Sequence, residues 1–287
     1  MTSFEMIKYH GQIYPSDIPL RIEEIAAHFD ITSIYSELEI SLHTEYSYGK
    51  RNFNSRMLAY FYAILSAQKE GVPQLWKNEM WALQFADFIF LLVGDGSAPR
   101  VIEIHPPFND YTDISGFINI YSSFENKIKE RFPKVEILVE NRCGSVYSGG
   151  RFIVSKINEV DALCEAIANK GLELRIAYDV PQIYTAHNAK TEEIYLKLLD
   201  ETKRFRDYIG GVHLWGKKLS ETGRKVAHCG NLDTYFGDTA IKEHFLRAFK
   251  DCFDDDIVRK MVLEVNSGNA DLLSIIDDLK SVGICFV

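Results

Sequence analysis

Residues 134–144 read Lys-Val-Glu-Ile-Leu-Val-Glu-Asn-Arg-Cys-Gly. The run of β-formers over 135–139 is apolar enough for a strand buried on both faces, the mark of a parallel sheet covered by helices. It stops on a carboxylate, Glu140, and turn residues follow. A buried acid is costly unless it is paired or holds a cation, so its position at the strand end needs a cause.

The same arrangement recurs along the chain. Strand-like runs over residues 6–9, 38–43, 101–105, 135–140, 172–179, 209–213, 225–228 and 261–264 each close on a polar residue. Amphipathic stretches at helical spacing lie between them, over 22–29, 54–70, 117–131, 160–169, 191–208, 241–253 and 271–279. Alternating β and α elements require parallel strands joined by crossovers, and eight such units fit a single (β/α)8 TIM barrel; a doubly wound open sheet is the alternative. No Pro/Gly/Ser linker divides the chain, so residues 1–287 are expected to form one domain. Residues 54–100 exceed what one unit needs and predict a helical elaboration, with a second helix over 79–92, either a cap or part of the wall.

The bulk numbers narrow the class. With 287 residues and 46% hydrophobic content the chain can bury a large core. Its longest apolar run, over 85–93, carries Asp87 and is too short to span a bilayer, so no membrane partner is expected. The opening Met-Thr-Ser-Phe-Glu-Met lacks the pattern of a secretory signal, and a cytoplasmic address is the expectation. Five widely spaced cysteines with no Cys-x-x-Cys pair argue against a disulfide framework or a Cys-rich zinc site. A net charge of −9 weighs against wrapping nucleic acid with the whole surface, though not against a local phosphate site.

In a TIM barrel, strand ends face one shared mouth. Read in order, the ends are His43, His105, Glu140, Asp179, His213, His228 and Glu264. All seven are histidine or carboxylate, types depleted in buried strands, and a bound metal is the simplest common cause. Mixed imidazole and carboxylate ligands suit zinc or manganese better than calcium or magnesium. The alternative for each is an ordinary loop or core histidine, or a carboxylate paired with Arg142 or Arg175.

These strand-end residues, in this order, resemble the xylose-isomerase-like TIM barrels, which include endonuclease IV-type apurinic endonucleases and ketose epimerases. The resemblance covers most of the chain after about Leu38. The core shared across that family, Glu on strand 4, Asp on strand 5, His on strand 6 and Glu on strand 8, matches Glu140, Asp179, His213 and Glu264. The nuclease branch is similar in three further places: the Leu-Val-Glu-Asn-x-x-Gly segment over 138–144, His105-Pro106, and His43-x-x-Tyr46. There the resemblance implies that both histidines are zinc ligands and that Tyr46 lies against DNA. The chain departs from that branch at Asp179-Val-Pro-Gln182, where an Asp-x-x-His is expected, and at Val226-Ala-His228, where an Asp-x-His is expected. A one- or two-ion site follows.

Other residues are candidates for substrate contact. Lys217, Lys218 and Arg224 follow His213 and would overhang the mouth as phosphate contacts, or else form a solvated loop. Tyr46 opens a stretch over 46–53 that mixes cations with aromatics, as suits a nucleic-acid strand. The resemblance implies a substrate contact for Gln182, which stands where epimerases of the family commonly keep a substrate-contacting histidine. The glycine-rich 144–150 has no P-loop lysine, and 231–236 could close over the cavity. Three functions remain open: metal-dependent hydrolysis of a phosphodiester, with abasic or damaged DNA as substrate and Glu140 and Glu264 catalytic; a metal-dependent sugar isomerase or epimerase moving a proton next to a carbonyl; and a barrel without chemistry.

Overall fold

A computed structural model of the protein describes residues 2–51, 53, 59–147 and 150–287. Eight strands, β1 (Ser3–Lys8), β2 (Ile22–Ala27), β3 (Glu39–Thr44), β4 (Val101–Ile104), β5 (Glu136–Glu140), β6 (Arg175–Asp179), β7 (Ile209–Leu214) and β8 (Arg259–Leu263), run parallel in chain order. β8 pairs back onto β1, with Met6 opposite Met261, so the sheet closes and the open-sheet alternative is excluded. A short strand, Cys285–Phe286, also pairs with β1 beneath the closure.

Around the barrel lie α1 (Tyr62–Ser66), α2 (Glu79–Val93), α3 (Ile114–Arg131), α4 (Ile157–Lys170), α5 (Val180–Ala186), α6 (Glu192–Thr202), α7 (Leu232–Phe236), α8 (Thr239–Cys252) and α9 (Asn269–Ser281). Local chemistry sets their ends. Asn78, Asp113 and Asp238 each cap a helix by accepting first-turn backbone N–H groups, and Gly171 closes α4 in the left-handed region. None of the described helices is long and apolar enough to cross a membrane.

One of the eight expected strands is not in the barrel, and one barrel strand was expected as a helix. Residues 22–29 were expected as a helix because Ile22, Ile25 and Ala26 repeat at i, i+3 and i+4. They form β2 instead, alternating so that Ile22 and Glu24 are buried while Ile25 packs on the outer core. The buried acid Glu24 conceals the period of two. Conversely, Lys225–Ala227 is no barrel strand; it pairs antiparallel with Lys217–Leu219 in a hairpin between β7 and β8. The strand count is therefore right but its membership is not: Glu140 closes β5, Asp179 closes β6, His213 lies in β7 and Glu264 follows β8.

The expected elaboration is part of the wall. Of the helix expected over 54–70, only α1 is helical among the described residues, and 54–58 lie outside them. α2 fits the expected 79–92 and packs its Trp81, Phe85 and Phe88 against Phe29, Phe124 and Trp76. Trp76 is the keystone. It is 1% exposed, sits at a φ of 58° that costs a bulky side chain strain, and donates Nε1–H to the His105 carbonyl at 2.7 Å. Trp76→Ala is expected to cost about 3 to 5 kcal/mol, checked by denaturant unfolding; a loss below about 1 kcal/mol would show that this packing does not hold the His105 end of β4.

Candidate metal centre

The strand ends bring the expected residues to one place. Glu140, the last residue of β5, is 1% exposed, and Asp179, the last of β6, is fully buried. Between them Asn141 acts as a brace: its Oδ1 accepts from the Asp179 backbone N–H at 2.9 Å, and its Nδ2 donates to the Asp179 carbonyl at 3.0 Å. Asn141 thus ties together the ends of two strands that already pair in register, Ala177 opposite Glu140.

His105 shows what the cluster lacks. Its Nδ1 stands 3.3 Å from the Glu45 carbonyl oxygen, and its Nε2 stands 2.7 Å from Glu140 Oε2. Both oxygens only accept, and a neutral imidazole carries one proton. Burial pulls His105 down to about 3 against the attraction of Glu140, so the ring is neutral and one lone pair must face an oxygen. His43 compounds this by pointing its own Nε2 at His105 Nε2 from 3.1 Å. A divalent cation held there by His43, His105 and Glu140 would answer all three contacts, since imidazole nitrogen and carboxylate oxygen are both metal-ligand types.

Two carboxylates missed in the sequence stand behind these histidines. Glu24 of β2 and Glu103 of β4 approach His43 Nδ1 at 3.4 and 3.7 Å. Burial opposes a charge on His43, but Glu24 leads the carboxylates that overcome it and push the imidazole up to about 10. Glu103 Oε2 also reaches His213 Nε2 at 3.0 Å, while His213 Nδ1 faces Glu264 Oε1 at 3.3 Å. Burial disfavours the His213 cation, yet Glu103 and Glu264 together raise its pKa well above the usual histidine range. Glu103 was legible in principle, since it lies two residues before His105 and shares its face of β4. Glu24 was hidden with its strand.

The misfit is concentrated here. Among the described residues, His43 Nδ1, Glu103 Oε1, His213 Nδ1, His228 Nδ1 and Glu264 Oε2 are buried without a partner in hydrogen-bond geometry. Unsatisfied buried polar atoms are rare in proteins, and five in one cluster of metal-ligating types fit a bound cation. The ligand atoms of His43, Glu103, His105 and Glu140 lie within 4.8 Å of one another, as do those of Glu140, Asp179 and His213.

Above this floor opens a cavity of about 510 Å³ lined by Glu24, His43, Glu140, His228 and Glu264 from the cluster. Tyr46, Gln182 and Lys217, expected at the substrate, also line it; Lys218 and Arg224 are exposed on the hairpin and do not. Tyr46 stacks on Tyr48 at 5.0 Å, with the Arg51 guanidinium 4.6 Å from the Tyr46 centroid. Arg142 reaches Glu140 Oε2 at 2.5 Å, and burial of Glu140 is outweighed by that guanidinium, which holds the carboxyl below its usual range. On the opposite wall Trp215 stacks on His228 at 4.3 Å, and Lys217 donates to Thr185 Oγ1 at 2.7 Å. His228 was expected as a strand end. It comes instead from the hairpin, at a φ of 55°, and sets Nδ1 3.1 Å from Glu264 Oε2. The segment expected as a lid is α7, whose Phe236 packs against Phe245 and Tyr195.

The sequence matches no protein-family model and no curated protein. Among solved structures the chain is similar to a xylose isomerase domain protein from Alicyclobacillus acidocaldarius subsp. acidocaldarius, at 12% identity over 98% of both chains with a TM-score of 0.48. It is similar to SacUVDE at 15% identity, over 86% of this chain and 66% of that one, with a TM-score of 0.44. A xylose isomerase domain protein from Planctomyces limnophilus is similar at 11% identity, over 97% and 93%, with a TM-score of 0.43.

Proposed function

We propose that the protein is a divalent-metal-dependent hydrolase with an endonuclease IV-like site, which cleaves a phosphodiester, with abasic or otherwise damaged DNA as the substrate to test first. One observation carries the reading: His43 Nε2 and His105 Nε2 face each other at 3.1 Å, and His105 Nε2 also faces Glu140 Oε2 at 2.7 Å. Histidines from β3 and β4 are superfluous to an isomerase that holds its metal on Glu140, Asp179, His213 and Glu264, whereas they complete a nuclease-like set. Zinc or manganese suits these ligand types.

When bound, the ion supplies Lewis-acid neutralisation of phosphoryl charge and a water nucleophile near neutral pH. The chain's own residues do the rest. Arg142, next to Glu140, and Lys217 on the facing wall give an anionic ester two cations in a cavity of an otherwise acidic protein. His228 holds its Nδ1 against Glu264, which leaves Nε2 free to hand a proton to a leaving oxygen; burial opposes its charge, but Glu264 keeps its pKa above the usual histidine range.

A second reading, a sugar isomerase or epimerase, is favoured by one fact: Glu140 and Glu264 both line the cavity and could exchange a proton with a small substrate. The deciding assay incubates metal-loaded protein with a duplex bearing one abasic site, its undamaged counterpart, and a panel of ketoses and aldoses. Metal-dependent strand scission that is lost in His105→Ala is expected. Sugar isomerisation without scission would replace the first reading with the second. Metal at about 1,000 times Kd should also add about 4 kcal/mol of stability, raising Tm by about 8 to 16 °C. A Tm indifferent to metal and chelator would remove metal from the site.

A further inference from the structure

We infer that the ion is confined to His43, Glu103, His105 and Glu140, and that the Gln182 amide takes the place of a second cation between Glu140 and Asp179. The inference rests on the metal-dependent reading above and specifies its site: a centre with Glu103 as a ligand and Asp179 excluded from the ligand set.

The two groups of ligand-type atoms share Glu140 but differ in what their atoms already hold. On the Asp179 side the carboxylate oxygens are already held, and of that group only His213 Nδ1, which faces Glu264 Oε1 at 3.3 Å, lacks a partner in hydrogen-bond geometry among the described residues. Asp179 caps α5, accepting the Gln182 backbone N–H on Oδ1 at 2.8 Å. Pro181 sits in the first turn, and Gln182 at the third helical position folds its side chain back over the cap. Its Nε2 donates to Asp179 Oδ2 at 2.8 Å and also to Glu140 Oε1, while Trp215 Nε1 donates to Asp179 Oδ2 at 2.9 Å. The amide orientation follows from the chemistry, since the flipped form would press Oε1 against two carboxylate oxygens. A cation bridging Glu140 and Asp179 would have to displace these donors.

The other side is the reverse. Among the described residues Glu103 Oε1 is buried with no donor at hydrogen-bond distance, His43 Nδ1 standing 3.7 Å away, in a side chain that is 3% exposed. His43 and His105 present opposed Nε2 atoms, and no single proton satisfies both together with Glu140 Oε2. Glu103 Oε2 already holds His213, so its other oxygen is the one available to a cation. The residue type at 182 decides between the sides: a histidine there could offer a lone pair, whereas the amide nitrogen offers only protons.

The test is zinc stoichiometry by elemental analysis, after stripping the protein, reloading it with excess zinc and dialysing, with the absorption of bound cobalt as a second readout. The wild-type chain is expected to hold one ion, Glu103→Gln to bind at least tenfold more weakly, and Gln182→Ala to hold two. Cobalt bands should be unchanged by Asp179→Asn and shifted by Glu103→Gln, which decides the matter even if Gln182→Ala does not fold. Two ions on the wild type, a single ion on folded Gln182→Ala, or loss of the cobalt bands in Asp179→Asn would overturn the inference while leaving a metal enzyme. No ion on the wild type would overturn both.

Discussion

Glu140→Gln is expected to strip the metal and lower kcat/KM by about a thousandfold or more. The carboxylate has three partners: Oε2 accepts from Arg142 Nη1 at 2.5 Å and faces His105 Nε2 at 2.7 Å, and Oε1 accepts from Gln182. Replacing one oxygen by an NH2 sets a donor against Arg142 or against Gln182, so the side chain fits in neither orientation. One of the two carboxylates that would hold a cation beside His43 and His105, the other being Glu103, loses its charge at the same time. Transition-state stabilisation from a catalytic metal is worth several kcal/mol, and each 1.4 kcal/mol or so is a factor of about ten, which gives the thousandfold figure. Elemental analysis and the scission assay read the two losses separately. A variant that keeps its ion and stays within about tenfold of wild-type activity would move the centre away from β5.

Some of this was legible from residue types alone. The apolar run before Glu140 and the acid that ends it could be read because β5 is buried on both faces, so its composition is continuous and its end abrupt. Asp179 and His213 follow the same rule. β2 was not legible, because an inward-facing Glu24 breaks the alternation that marks a strand, and Ile22, Ile25 and Ala26 mimic a helical face. Missing β2 displaced β3 to β7 by one and required Lys225–Ala227 to fill the count. His228 was thus assigned to the right cavity from the wrong element: the hairpin returns it to the mouth by pairing with Lys217–Leu219. At Gln182 the sequence showed a missing ligand. Only the fold makes the replacement itself a donor to two carboxylates, a relation between β5 and α5 that no spacing encodes.

Zinc affinity should rise about tenfold per pH unit through neutrality. Burial alone would keep His43 neutral, but Glu24, and after it Glu103 and Glu140, push it up to about 10, so the metal-free chain carries a proton there throughout the neutral range. A ligating imidazole must be neutral, and binding therefore expels that proton. The sign follows: below about pH 10 the proton competes with the ion, and the competition weakens as pH rises. His105, already neutral with a value near 3, adds no slope of its own. Between about pH 6.5 and 8.5, Kd for zinc is expected to fall about 100-fold for one proton released. Calorimetry in buffers of different ionisation enthalpy counts the proton directly. Glu24→Gln separates His43 from other sources of the slope: it removes the carboxylate that most favours the imidazolium, so fewer protons should be released on binding at neutral pH. A pH-independent Kd in the wild type, or a Glu24→Gln variant that releases as many protons as wild type, would mean that His43 is not the group the ion displaces a proton from.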